Sequence, residues 1–182
     1  MPFMLEERLL GDIIVLRPQR YADPRGWFME SFRADQFGDL GLPQEFPQDN
    51  HSYSTRGVIR GMHFQHEPPM GKLLRVISGA IQLVEVDIRR SSPTYGQHVV
   101  IDVSDQDGRI VYIPPGFANG FCVVSDDAHV VYKCTTYYNA AGEGSLNPLD
   151  PALGIAWRTD APIVSDRDRT APGLGEFQSF FE

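Results

Sequence analysis

Long apolar runs are missing from this chain: no stretch approaches the roughly 18 to 20 residues that a bilayer-spanning helix needs. Glu6 and Glu7 also stand where a secretory leader would carry basic and then apolar residues. The expectation is a cytoplasmic protein with no membrane partner. Positive charge is short as well, with 16 Lys and Arg against 24 Asp and Glu, a net charge of −8. A general nucleic-acid surface rewards clustered Lys and Arg over a whole face, so nucleic acid is not an expected partner. Any bound phosphate has to meet a local basic cluster. There are only two cysteines, Cys122 and Cys134, set in apolar runs without Cys-x-x-Cys or zinc-ligand spacing. They are expected to be buried free thiols. Helical periodicity is nearly absent, and there is no repeat, linker or low-complexity segment.

What is present is a chain of 182 residues with 42% hydrophobic, 11% aromatic and 22% charged residues. That suits one folded domain over residues 1–182 and excludes disorder as the main state. Short apolar, β-branched segments alternate with Gly, Pro, Asp and Ser, which predicts an all-β fold. Strands are expected over Asp12–Leu16, Trp27–Phe32, Gly57–Phe64, Leu73–Ile77, Ala80–Ile88, His98–Val103, Arg109–Ile113, Asn119–Val124 and His129–Tyr138. Turn chemistry separates them at Asp23–Gly26, Ser78-Gly79, Asp105–Gly108 and Pro114–Gly116. Closely spaced strands of this kind make a sandwich or closed barrel. A short helix near Arg33–Leu40 and a loop-rich tail from Leu146 complete the expected elements.

The sharpest local signal is Arg60-Gly61-Met62-His63-Phe64-Gln65. Strict alternation sends Arg60 and His63 to opposite faces of a strand, unless Gly61 introduces a bulge. Gly108 to Asn119 reads Gly-x5-Pro-x-Gly-x2-Asn and resembles the second motif of the cupin barrels, with Asn119 where a metal-binding His would stand. In place of the first motif's His-x-His there is His63-Phe64-Gln65, so a single cupin-type ligand remains. One imidazole cannot hold a catalytic metal, and no metal or other cofactor is expected. His63 is then available as a base, since neutral imidazole titrates near the pH at which it has to work. Tyr132 could donate a proton across the substrate and Lys72 could stabilise an enolate oxygen. Taken singly, these are an ordinary strand histidine, a strand aromatic and a solvated turn lysine.

In order along the chain come Asp23-Pro24-Arg25-Gly26-Trp27-Phe28-Met29-Glu30-Ser31, Gln48-Asp49-Asn50-His51-Ser52, Arg60 to Gln65, and Gly71-Lys72-Leu73-Leu74-Arg75. Ile113 to Phe121, Tyr132-Lys133 with Tyr137-Tyr138, Glu143-Gly144-Ser145 and Ser165-Asp166-Arg167-Asp168 follow. From about Asp12 to about Pro172 the chain resembles the dTDP-4-dehydrorhamnose 3,5-epimerase family. The resemblance implies a double-stranded β-helix, that is, a cupin-like jelly roll with a few short helices. It implies a metal-free isomerase of deoxysugar biosynthesis of the dTDP-rhamnose kind, acting on a nucleotide-diphosphate-linked 4-keto-6-deoxy hexose. It makes His63 the proton acceptor, Asp168 the carboxylate that orients it, Tyr132 the proton donor on the opposite ring face, and Lys72 the group beside the C4 oxygen. Arg25, Glu30, Gln48, Asn50, Arg60, Asn119, Glu143 and Arg167 are taken as substrate-binding, with Tyr21 and Tyr138 as lining aromatics. A homodimer that exchanges N-terminal strands is also implied.

Two positions depart from the family pattern. Asn119 replaces its usual His, and Leu83 stands near where the acid paired with that His belongs, while Glu85 lies two residues on and on the same face. The alternatives are therefore inversion at carbon 3 or carbon 5 only, or a different nucleotide sugar. A metal-dependent cupin enzyme and a non-catalytic sugar-nucleotide-binding barrel are further readings. The first would need ligands this chain lacks, and the second would be expected to have lost His63, Tyr132 or Asp168.

Overall fold

The computed structural model describes residues 2–182. In chain order the elements are β1 (Phe3–Leu9), β2 (Ile13–Pro18), β3 (Arg20–Asp23), β4 (Gly26–Met29), α1 (Ala34–Asp39) and β5 (Gln48–Thr55). They continue with β6 (Ile59–Gln65), β7 (Lys72–Asp87), β8 (His98–Ser104), β9 (Ile110–Ile113), β10 (Phe117–Cys134), β11 (Glu143–Ser145) and α2 (Asp166–Arg169). Nine strands form one sheet in the order β1-β2-β9-β7-β10-β6-β11, with β8 added to β7 and β5 to β10, while β3 and β4 make a separate hairpin. Every strand pair is antiparallel. The sheet rolls into the cupin-like jelly roll.

Two long strands organise it. β7 pairs with β10 along nearly its whole length, and each hands one half to a different neighbour: β7 to β9 and then β8, β10 to β6 and then β5. The predicted break at Ser78-Gly79 is therefore not a turn between strands but a bend inside one. Gly79 takes φ +85° there, opposite a register shift between Val123 and Ala128, and glycine tolerates that dihedral at no steric cost. The two segments expected on β10 merge for the same reason, and the strand stops at Cys134, short of Tyr138. The strand expected over Trp27–Phe32 ends at Met29.

Four strands, β1, β3, β5 and β11, lie outside the expected segments. β1 carries three charged residues in seven, and β11 is three polar or small residues long. β5 is Gln-Asp-Asn-His-Ser-Tyr-Ser-Thr, and it is held by its ladder to β10 rather than by burial. Pairing overrides propensity at such sites. The barrel interior is aliphatic and aromatic, with Leu74, Val76, Leu83, Phe121 and Val130 in one buried cluster. At about 1.5–3 kcal/mol per fully buried large apolar side chain, that cluster is the main stabilising element. Both cysteines are buried and free.

Candidate active site

A bulge shapes the strand that carries the imidazole. Asn119 of β10 faces His63, whereas Phe121 faces Arg60, so β6 spends three steps where β10 spends two. Gly61 makes this possible: its φ is +122°, and a Cβ there would come within 2.6 Å of the Asn119 carbonyl oxygen. The extra residue re-aims one side chain. Arg60 and His63 consequently line the same cavity of about 540 Å³, together with Lys72, Asn119, Tyr132, Arg167 and Asp168. Leu74 and Phe121 form part of its apolar wall and belong to the barrel core as well.

On one side of this cavity His63 Nε2 lies 2.6 Å from Asp168 Oδ1. The acid is almost fully buried and arrives from α2, a single turn capped by the Ser165 hydroxyl, which accepts from the Asp168 backbone N–H at 3.1 Å. With the carboxylate accepting from Nε2–H, the imidazole lone pair falls on Nδ1. Tyr132 enters from the far half of β10, where its cross-strand neighbours are Asn50 and Leu74. Burial pushes its phenol above the ordinary tyrosine range, with the Cys134 thiol adding to the rise and Asn50 and Arg60 opposing it. The hydroxyl thus keeps its proton at neutral pH and can donate it.

Lys72 lies between these groups. Its Nζ donates to Asn119 Oδ1 at 3.2 Å and to the His63 carbonyl at 3.4 Å, and sits 5.8 Å from the Tyr132 ring centroid. Burial pulls its pKa down, while the charges of Glu85, Cys134 and Glu143 pull it back up. Asn119 Nδ2 in turn donates to Glu85 Oε1 at 2.6 Å. The acid at Asn119 is therefore Glu85. Leu83, the position first considered for it, faces Phe121 inside the apolar core, where a carboxylate would find no donor.

A polar band joins α2 to the β5–β10 edge. Glu143 accepts from Tyr138 OH at 2.8 Å and pairs with Arg167 at 2.7 Å, and Gln48 Oε1 accepts from the Tyr138 N–H at 2.8 Å. Gln48 also donates to Asn50 Oδ1 at 3.1 Å, and Asn50 donates to Cys134 Sγ at 3.5 Å. Arg60 is braced by the Ser54 hydroxyl at 2.8 Å. Burial raises and the Arg167 and Tyr138 hydrogen bonds lower the Glu143 carboxyl, with a net shift below the usual carboxylate range. Ser54 escaped sequence analysis because a lone serine carries no spacing signal, and Ser165 stood in a quoted motif without a role; both act by holding another residue.

Of the expected substrate contacts only Arg60, Asn119 and Arg167 line the cavity; Gln48, Asn50, Tyr138 and Glu143 lie in the polar band instead, and three more belong to neither. Tyr21 and Arg25 lie on the β3–β4 hairpin and Glu30 just after it, and none of them lines the cavity. Arg25 is largely exposed and pairs with Asp23 at 2.5 Å, and Glu30 lies 3.6 Å from Arg33. Among the described residues, no three His, Cys, Asp or Glu side chains converge as a metal-binding group.

The family model for dTDP-4-dehydrorhamnose 3,5-epimerase matches residues 7–176. A relative from Neisseria gonorrhoeae described by that name is 47% identical over 160 residues, 87% of this chain, which spans about half (49%) of that relative's length. A dTDP-4-dehydrorhamnose 3-epimerase from Streptomyces niveus is 40% identical over 163 residues, covering 88% of this chain and 79% of that relative. Among solved structures, a Legionella pneumophila dTDP-6-deoxy-D-glucose-3,5-epimerase in complex with dTDP-4-keto-L-rhamnose superposes with a TM-score of 0.92 at 39% identity, covering 97% of this chain and 95% of that one. Motifs, jelly roll and match along almost the whole sequence agree, and the chain belongs to the dTDP-4-dehydrorhamnose 3,5-epimerase family of sugar-nucleotide isomerases.

Proposed function

We propose that this chain epimerises a nucleotide-diphosphate-linked 4-keto-6-deoxy hexose at carbons 3 and 5, with His63 as base and Tyr132 as acid. The observation that carries this reading is that the Asp168-bound imidazole and the protonated phenol open onto one cavity with an ammonium between them. A ketone at C4 acidifies the carbon on either side of it. His63 Nδ1 takes the α-proton, the electron pair moves onto the C4 oxygen, and Lys72 stabilises the negative charge that develops there. Tyr132 then protonates the carbon from the other face, and His63 keeps its orientation because Asp168 holds Nε2–H. Arg60 and Arg167 supply the local positive charge for the diphosphate within an acidic protein. The bound sugar nucleotide of the Legionella neighbour supports the substrate class.

Incubation with dTDP-4-keto-6-deoxyglucose in deuterium oxide, followed by NMR, tests the reading. Exchange is expected at carbons 3 and 5, and His63→Ala should slow it about 10³-fold with unchanged circular dichroism. Full turnover by that variant would remove His63 from the mechanism. A single-centre epimerase is the second reading, and Asn119 in place of the family's usual His favours it. Deuterium entering at one carbon alone would establish it.

Residues 1–182 act, in this reading, as one cytoplasmic domain that works as a homodimer. Support comes from the hairpin, where Tyr21, Trp27 and Phe28 are 55%, 56% and 66% exposed, and from β1, which among the described residues pairs only with β2 and leaves Met4 and Leu5 in solvent. A partner's cavity would give the hairpin's Arg25 and neighbouring Glu30 a substrate to meet.

A further inference from the structure

Glu85 is a buried carboxyl that the mechanism above does not use. It stands between the buried Val84 and Val86 on β7, it is 0% exposed, and only one of its oxygens has a partner. The other buried polar side chains of this stretch are tied off. Gln82 bonds the backbone of Ala156 and Arg158, and Asp87 is saturated by Arg89, Ser92 and Thr94. Glu85 alone keeps an unpartnered oxygen, Oε2, and its single hydrogen bond points toward the cavity wall.

That bond leads to Lys72 in two steps. Glu85, Asn119 and His63 form one row across three adjacent strands, because Asn119 is the register partner of both the others. Asn119 Nδ2 donates to Glu85 Oε1 at 2.6 Å, and the same amide's Oδ1 accepts from Lys72 Nζ at 3.2 Å. A carboxamide is nearly symmetric in shape and can turn over about its last torsion, so only its partners decide which end faces which neighbour. Turned over, Asn119 would aim N–H donors at an ammonium that has only donors, and Nζ would be pushed off its position.

We propose that Glu85 is a positioning residue of the isomerase: by accepting from Nδ2 it locks the Asn119 amide with its oxygen on Lys72, and so fixes the ammonium where the C4 oxygen of the substrate must lie. Burial also pushes the Glu85 carboxyl well above its ordinary range, with Asn119 and Lys72 opposing the shift. The neutral acid still offers a carbonyl oxygen to the amide. The role passes through Asn119 and Lys72 and involves no contact with substrate.

The inference rests on the epimerase reading, and it makes a demand on the kinetics that a fold-supporting role does not. Enolates formed from carbon 3 and from carbon 5 share one C4 oxygen, so a displaced Lys72 slows both exchanges by the same factor. Deuterium exchange into dTDP-4-keto-6-deoxyglucose is measured for wild type, Glu85→Leu, Glu85→Gln, Asn119→Ala and the Glu85→Leu/Asn119→Ala double variant. In Glu85→Leu, kcat is expected to fall about 10- to 100-fold, equally at every carbon the wild type exchanges, while KM moves less than about threefold. Glu85→Gln, which keeps the acceptor oxygen, should recover most of that loss, and the double variant should be no worse than the more impaired single variant. Normal exchange by folded Glu85→Leu, a loss at one carbon only, a rise in KM with kcat intact, or additive losses would each overturn the assignment. Should Glu85→Leu not fold, Asn119→Ala carries the same requirement of equal losses. A wild type inert toward the keto sugar would sink the epimerase reading and this inference with it, whereas an active wild type matched by Glu85→Leu sinks the inference alone.

Discussion

Glu85 and Asp87 lie two residues apart on β7, point to the same side by alternation, and are both 0% exposed. Their charge states nevertheless diverge. Burial pushes Asp87 up, but it accepts from Arg89 through the backbone N–H at 3.0 Å, Nε at 2.9 Å and the guanidinium terminus at 2.7 Å. The Ser92 and Thr94 hydroxyls add bonds of 2.6 Å each, and the net result is a carboxylate with a pKa of about 2. Glu85 receives one amide hydrogen bond and is driven the other way. Burial alone therefore does not decide whether a carboxyl is charged. The number and charge of its donors does. The strand keeps one anion as a structural lock for the loop after it and one poorly satisfied acid behind Asn119 and Lys72.

The largest expected effect comes from breaking the lock. Arg89→Leu leaves Asp87 buried without its guanidinium and should cost about 3–5 kcal/mol in urea unfolding. A cost below about 1 kcal/mol would mean that the hydroxyls suffice.

An acid titration sharpens the contrast at intermediate scale. Asp87 falls from an ordinary 3.8 to about 2 on folding, and Glu6, paired with Arg109 and Arg17, falls from 4.5 to about 2. Both are depressed, so the stability they contribute is present above the unfolded values and is lost as pH drops through the folded ones. Urea midpoints should decline between pH 4.5 and 2, with Asp87 accounting for about 2 kcal/mol. Asp87→Asn should flatten that decline, and an unchanged slope would exclude Asp87 as its source.

The smallest effect has the opposite sign. Glu85 is raised in the folded state, so its stabilising contribution is complete below the unfolded value of 4.5 and is lost as pH rises from there toward the folded value. Glu85→Gln should gain stability on wild type progressively as pH rises from 5 to 7. A pH-independent difference would show that Glu85 titrates normally.

Much of the site could be read from short segments. His63, Lys72 and Tyr132 stand in dense local motifs, and the lost metal ligands at Gln65 and Asn119 follow from residue type alone. The bulge at Gly61 was visible as a possibility, because glycine on a strand beside two functional side chains has few other uses. The partner of Asn119 was not visible. Leu83 and Glu85 share a face, and period-two alternation cannot say which of them lies across from residue 119. Nor could β5 be seen, since its polar alternation acquires meaning only beside β10.

By itself the sequence determined the β content, the positions of most turns, the absence of a cupin ligand set and the residue types available for proton transfer. Those depend on local dihedral preference and on which face a side chain takes. The family resemblance implied that Asp168 meets His63 across 105 positions, which no local pattern gives; the tertiary structure alone decided that Glu85 rather than Leu83 backs Asn119, and that Arg25 and Glu30 stay outside this chain's own cavity. Each is a question of register or approach settled to within a fraction of an ångström. A pattern that repeats every second residue fixes a face but cannot fix a neighbour.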